Sequence, residues 1–398
     1  MEDIDELRER LPRDLERLCE AHGVPGAAAA VLIGDDVAHA EHGAVNSRTE
    51  VPTTPDSLFM IQSITKLFTA TLVMQLVDDG LLCLDDAVRS HLSGFRTADP
   101  DASGGITIRH LLTHSGGFEG DLWAPTTCGD DALEHFVVDL VSQADQHSKP
   151  GTQFSYCNAG FGVLGRLVEV HRGITYETAL RRYVAEPLGI DELAFSADQA
   201  LAFRTAIGHV RPVPSADLGP LRNWAVMPAS NPAAGNQLAM SARGLLAFAR
   251  MHVSNGLAPD GTQVLSAESA QQMRKAQIQH PPLFGSQSSQ GLGWWLNGSR
   301  IAEHGGGSTG IAAKLRIAPA HGLAAVVLTN AEHGERIIGE LLPTLFADLV
   351  DSGTTQDTFG VAQDSPADLT PFVGHYNCRQ TLFDVALASG HIWLTRTP

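Results

Sequence analysis

Ser63-Ile64-Thr65-Lys66 sets a hydroxyl three residues ahead of an amine, at the head of an apolar run. The chain has four lysines, Lys66, Lys149, Lys275 and Lys314, and only Lys66 has a serine three positions before it. Ile64, Leu67, Phe68, Leu72 and Leu76 recur at helical spacing, which predicts a buried helix. Residues three apart share a helix face, so the amine would lie beside the hydroxyl. A lysine held away from water loses affinity for its proton and can then take that of a neighbouring alcohol. The result is a nucleophilic serine that needs no catalytic histidine.

Two further groups extend this chemistry. Tyr156-Cys157-Asn158 is the only Y-x-N among the four tyrosines, and it opens a predicted helix after Pro150-Gly151-Thr152. A phenol near a deprotonated lysine can relay a proton to a leaving group, and Asn158 can hold the lysine and a substrate amide. His304-Gly305-Gly306-Gly307 follows Gly293-Trp294-Trp295. Glycines there let a substrate backbone approach a strand edge closely, and His304 is largely neutral at pH 7. Trp294 and Trp295 alternate on a predicted strand, so one faces the cleft and the other the core; Trp295 is the cleft candidate. Glu119, Asp121 and Trp123 follow the Gly116-Gly117 turn, as a wall of an acyl pocket or as a solvated loop.

Two competing patterns are weaker. Gly306-Gly307-Ser308-Thr309-Gly310 matches the G-x-S-x-G nucleophile elbow, but an elbow needs strand, sharp turn, then helix. The following Ile311 to Ala318 alternates like a strand. His110 and His114, four apart, have metal-ligand spacing, yet no H-E-x-x-H or carboxylate pair accompanies them. No metal and no organic cofactor is expected.

The elements that must position these groups follow from periodicity. Residues 3–22 predict a surface helix with Leu7, Leu11, Leu15 and Leu18 on one face. Ala27 to Ile33 and Val37 to Val45, split by Gly34-Asp35-Asp36, predict a hairpin. Helices are predicted over Ala132 to Gln143, Ala159 to Arg172 and Ser241 to Ser254, the last capped by Ser241. Strands return over Gly291 to Leu296, Ile311 to Ala318 and Gly322 to Thr329, before a helix over Glu335 to Val350. One sheet built from both ends of the chain, with a helical insertion beside it and a cleft between, is the simplest packing. Residues 1–84 with 291–350 then form the sheet subdomain and 85–290 the helical one. Residues 351–367 read as a linker, and 368–398 as a short β appendage.

The chain has 398 residues and a net charge of −18, from 27 basic and 45 acidic side chains. That length suggests two domains, or one with an appendage. The charge argues against nucleic acid and anionic membrane as partners. Five scattered cysteines without C-x-x-C read as free thiols in a reducing compartment. The charged, amphipathic Met1 to Arg17 lacks the apolar core of a secretory signal, and no run is apolar enough to span a membrane. A cytoplasmic location is expected.

Ser63-x-x-Lys66, Tyr156-x-Asn158 and His304-x-Gly306, in that order, resemble the three motifs of the penicillin-recognising serine enzymes. The similarity is greatest to the branch of class C β-lactamases, esterases, D-peptidases and thioesterase-like cyclases. Ile108 to Gly117 and Gly291-Leu292-Gly293-Trp294 are also similar to that branch. The resemblance implies an α/β (α+β) fold: an antiparallel sheet flanked by helices, with a mostly helical insertion. It implies Ser63 as acylated nucleophile, Lys66 as base, Tyr156 as proton relay, Asn158 as hydrogen-bonding partner, and the N–H groups of Ser63 and Gly307 as oxyanion hole, with Gly305 and Gly306 lining the edge. One departure concerns His304, where β-lactamases and cell-wall peptidases usually carry a lysine. A substrate carboxylate is therefore not implied. Leu369 to Tyr376 looks like the opening of an appended lipocalin-like domain, of which a closed eight-stranded barrel does not fit in the remaining residues.

The expected activity is that of a serine hydrolase or acyl transferase, acting on an ester, thioester or amide through an acyl-enzyme. The partners are a small acyl substrate and, in the alternative reading of a biosynthetic transacylase or peptide cyclase, an amine acceptor or carrier-bound thioester. A β-lactamase, a D,D-carboxypeptidase and a non-catalytic ligand sensor are less favoured.

Overall fold

In the computed structural model, the described residues are 3–127, 129–211, 216–281, 288–347, 368–378, 381–388 and 391–397. The expected linker, 351–367, lies outside them.

Gly26–Ile33 (β1) and Leu323–Thr329 (β9) are apolar along their whole length, which suits strands covered on both faces. They pair antiparallel, Ala30 opposite Val326. Successive strand residues point to opposite faces, so each strand feeds two cores. Ala28, Ala30, Leu32, Ala324, Val326 and Leu328 enter the larger one. Ala27, Ala29, Val31, Leu323, Ala325 and Val327 enter the smaller.

Around this pair the sheet grows to nine strands. Asp36–Asn46 (β2) and Val51–Pro52 (β3) extend one side; Ile278–Gln279 (β4), Ser288–Gln290 (β5), Trp295–Asn297 (β6), Ile301–Ser308 (β7) and Ile311–Ala318 (β8) extend the other. The order is β3-β2-β1-β9-β8-β7-β6-β5-β4, and every pair is antiparallel. The smaller core is closed by Ile4–His22 (α1), through the predicted Leu7, Leu11, Leu15 and Leu18, and by Gly334–Leu345 (α5), through Ile337, Leu341 and Leu342.

The larger core holds Thr65–Asp78 (α2), Asn158–Arg172 (α3) and Ala242–Val253 (α4). α2 is buried on all sides from Thr65 to Leu76, as befits a helix without a polar face. Its threonines return their hydroxyls to the helix: Thr69 Oγ1 donates to Thr65 O and Thr71 Oγ1 to Leu67 O. Ser241 caps α4 as expected, accepting from Gly244 N.

Three elements differ from expectation. Gly291 to Trp294 is a turn rather than strand, because Gly293 takes φ +83° and sends its N–H to Leu112 O. The short strands β4 and β5, at one end of the sheet, carry no apolar alternation and gave no strand signal. The stretch Ala132 to Gln143 is helical but changes pitch, from α over Ala132–His135 to π over Phe136–Leu140 and 3-10 over Val141–Gln143. In the tail, Gly374–Cys378, Thr381–Ala388 and His391–Thr397 form a three-stranded antiparallel sheet.

Phe68 on α2 stacks on Phe248 of α4 with ring centroids 3.8 Å apart, both fully buried. Phe68→Ala is expected to destabilise the fold by about 3–5 kcal/mol in denaturant unfolding; a loss below about 1 kcal/mol would show that the two helices do not depend on this contact.

Candidate active site

Ser63 sits in a 3-10 turn, Gln62–Ile64, that runs into α2. Gln62, just before it, has φ +48°, a left-handed conformation that persists only where surroundings enforce it. Two glycines enforce it. A Cβ on Gly235 would lie 1.9 Å from Gln62 O, and one on Gly306 would lie 2.0 Å from Ile61 O. The turn is thus clamped between the Pro232–Gly235 segment and β7.

Lys66 lies one turn on, with 0% of its surface exposed. Its Nζ is 3.0 Å from Ser63 Oγ and 2.8 Å from Ala234 O. Burial pulls the ammonium down from its ordinary value to about 7, opposed by Asp121 and the Cys157 thiol. At neutral pH a large share of the amine is therefore unprotonated and able to accept a proton.

Tyr156 reaches the same point from the start of α3. Lys66 Nζ lies 5.0 Å from its ring centroid. Burial pushes the phenol above its ordinary value, and a hydrogen bond shared with Ser63 opposes that rise. The phenol stays protonated and can pass protons along the bond. The hydrogen bonds of Lys66 Nζ to Ser63 and Ala234 do not include Asn158. Asn158 Nδ2 donates to Asp121 Oδ1 at 2.8 Å, and its carbonyl accepts from Asn231 Nδ2 at 3.1 Å. Asn231 Oδ1 in turn accepts from Ala234 N at 3.3 Å, so Asn158 supports the carbonyl that holds the lysine.

His304 is buried in β7, and its Nδ1 lies 2.6 Å from Gly305 O. A carbonyl only accepts, so Nδ1 carries the proton. Burial and the Lys66 charge pull the imidazolium down to about 3. The ring is neutral at pH 7 and Nε2 is a bare lone pair, with no partner among the described residues. Gly305 is half-buried, Gly306 buried and Gly307 exposed. The partly buried Trp295 has its ring 6.4 Å from Tyr156 and 6.2 Å from His304. Trp294 is fully buried against His252.

The Glu119 to Trp123 loop is placed in part. Gly120 O accepts from Ala159 N at 2.9 Å, which packs the loop on the start of α3. Glu119 turns within the loop, accepting from Asp121 N and pairing with His147 at 3.4 Å. Trp123 is half-buried and makes no ring contact with Tyr156 among the described residues. Ser308 ends β7, and Thr309-Gly310 turns directly into β8, so strand meets strand and no elbow forms. His110 folds back on its own helix, Nδ1 accepting from Thr107 N at 3.2 Å.

The residues that sequence reasoning missed are Gln62, Asn231, Ala234 and Gly235. Ala234 contributes a backbone carbonyl, which no residue type announces. The Asn-Pro and Gly-Asn pairs around it signal only a turn.

A family model described as Beta-lactamase matches residues 9–342. Penicillin-binding protein 4 from Amycolatopsis lactamdurans is 37% identical over 362 residues, 89% of this chain and 93% of that protein. A D-aminopeptidase from Brucella anthropi is 31% identical over 188 residues, 45% of this chain and 34% of that protein. Among solved structures, the crystal structure of SurE aligns with a TM-score of 0.82 at 27% identity, covering 99% of this chain and 88% of that one.

Two outcomes test the geometry. Gly306→Ala, which drives a methyl into Ile61 O, is expected to cut the rate of Ser63 acylation by about 10² or more; acylation within about threefold of the parent would show the clamp to be unnecessary. With the neutral amine of Lys66 as the candidate base, kcat/KM should fall as pH drops through about 7. A flat profile between pH 6 and 8, at roughly constant stability, would exclude that assignment.

Proposed function

The chain belongs to the β-lactamase family, and from that premise we propose that it is a serine acyl-enzyme hydrolase or acyl transferase for an ester, thioester or amide of a small, peptide-like molecule. The observation that carries this is the 3.0 Å approach of Ser63 Oγ to the fully buried Lys66 Nζ.

The steps follow from the arrangement. Ser63 Oγ attacks the substrate carbonyl as its proton moves to the neutral Lys66 Nζ. The oxyanion that develops faces the N–H groups of Ser63 and Gly307, donors of a kind typically worth ~10²–10³ in rate. Lys66 returns the proton through the Tyr156 hydroxyl to the leaving group, which departs as the acyl-enzyme forms. A water or an amine then attacks the ester, its proton travels back along the same path to Ser63 Oγ, and the product is released. His304 Nε2, an unfilled acceptor in the site, suits the O–H or N–H of the incoming nucleophile. With His304 neutral, no fixed cation stands at that position to require a substrate carboxylate.

Water as acceptor makes the protein an esterase, amidase or D-type peptidase; an amine or a carrier-bound substrate makes it a biosynthetic transacylase, transamidase or cyclase. The relative named a D-aminopeptidase supports the amide end of this range, across under half of this chain. A cytoplasmic location, without nucleic acid or membrane as partner, belongs to the same reading. It is supported by the net charge of −18, by unpaired Cys19, Cys83 and Cys157, and by the lack of a described helix long and apolar enough to cross a membrane.

A short-chain nitrophenyl ester should release nitrophenol and add the acyl mass to Ser63. Ser63→Ala should abolish both signals and Ser308→Ala should keep them; an adduct persisting in Ser63→Ala defeats the assignment. Adding an amine partitions product between acid and amide, and the ratio assigns the acceptor. Fast turnover of a chromogenic β-lactam would overturn the expectation that cyclic amides are poor substrates.

A further inference from the structure

His114 meets the segment that carries Tyr156 at three points, and it approaches from a different part of the chain. Its carbonyl accepts from Ser155 N at 2.7 Å, and its Nδ1 accepts from Cys157 N at 3.0 Å. Its ring stacks on Tyr156 with centroids 4.3 Å apart and planes 27° apart. One side chain and its own carbonyl thus hold the residue before the phenol, the residue after it, and the phenol ring itself. The imidazole also lies 5.0 Å from the ring of Phe161 of α3 and 5.8 Å from that of Phe154, edge-on to the latter.

The backbone supports the same conclusion. His114 has φ +52° and is fully buried. A non-glycine residue in that region is uncommon and marks a conformation held by its surroundings. Since Nδ1 accepts from a backbone N–H, a neutral ring carries its proton on Nε2, which has no partner among the described residues. The side chain is therefore not kept in place by bonds elsewhere. The single polar bond of its ring points at the Tyr156 segment.

We infer that His114 is a positioning residue for acyl transfer: its Nδ1 and ring fix the Tyr156 hydroxyl against Ser63 and Lys66. The inference rests on Tyr156 acting in proton transfer as described above. Tyr156 begins no helix turn of its own. Cys157 is the N-cap of α3, with φ −135°, and Tyr156 lies one residue outside the helix. Without an external clamp the phenol would depend on a loop.

The test is a double-mutant cycle read on nitrophenyl-ester turnover. His114→Phe keeps a ring on Tyr156 and removes the acceptor for Cys157 N–H. It should lower kcat by about 10–100-fold with KM changed by less than about threefold, as a misplaced catalytic group does. His114→Asn, whose carbonyl replaces Nδ1 and which tolerates positive φ, should recover most of that loss. In a Tyr156→Phe background, His114→Phe should cost little more, because residues that act as a unit are not additive. Glycine, which takes positive φ without strain, runs the same cycle should the phenylalanine chain not fold. Multiplicative losses in the double mutant, or His114→Asn as slow as His114→Phe, would overturn the inference. Tyr156→Phe retaining full rate would instead defeat the role of Tyr156 itself, and the two failures are distinguishable by that single variant.

Discussion

An amine without exposed surface beside an alcohol is the constraint around which this molecule is organised. Water would keep the Lys66 ammonium charged; a carboxylate in direct contact would do the same. The fold denies it both. α2 is enclosed on every face, the hydrogen bonds of Nζ go to Ser63 and the Ala234 carbonyl, and the rings nearest it belong to Tyr156 and Phe161. Asp121 is the acid whose charge is felt most, and it is tied to Asn158 at 2.8 Å. The pull on the proton is thereby set between a surface lysine and a fully neutralised one, near the pH at which the base must both accept and release it.

The second constraint is mechanical. Ser63 belongs to the sheet side through Gly306 of β7 and to the helical side through Gly235, each of which approaches the Gln62 turn too closely for a side chain. The positive φ of Gln62 records that squeeze. Tyr156 is handled similarly from outside its helix, by a histidine that is itself in a left-handed conformation. Strain at both positions lies where the reacting groups meet, the distribution expected when a fold gives up local comfort for placement.

The parts legible in the sequence are those governed by local periodicity or by residue type. The four leucines of α1 follow from spacing of 3.6 and β8 from spacing of 2, the strands β1 and β9 from short apolar runs bounded by turn residues, and the serine cap of α4 from residue type. Ser63, Lys66 and Tyr156 were legible because few residue types serve as nucleophile, base and relay, and they stand in a recurring order. Illegible parts were of three kinds. Ala234 acts through its backbone, so its identity carries no message. β4 and β5, the last two strands on one side of the sheet, owe their pairing to position rather than pattern. His114 was visible as half of a four-residue histidine spacing and inside the Ile108 to Gly117 segment, and neither pointed to a neighbour across the fold. Trp294 and Trp295 differ in burial, Trp294 fully buried and Trp295 only partly so, a difference that two adjacent tryptophans do not announce.

The pairing of β1 with β9 carries a consequence for biosynthesis. On the ribosome the N-terminal hairpin emerges with one edge of β1 unpaired, and its partner strand is made only after the helical insertion is complete. Contacts so distant in sequence form slowly, and a bare apolar edge is a template for the wrong neighbour in the meantime. The same delay applies to the glycine-lined edge beside Ser63. Gly306 and Gly307 are added to the growing polypeptide late, so the Ser63 turn is pressed against its glycine-lined edge only after the helical insertion has been made.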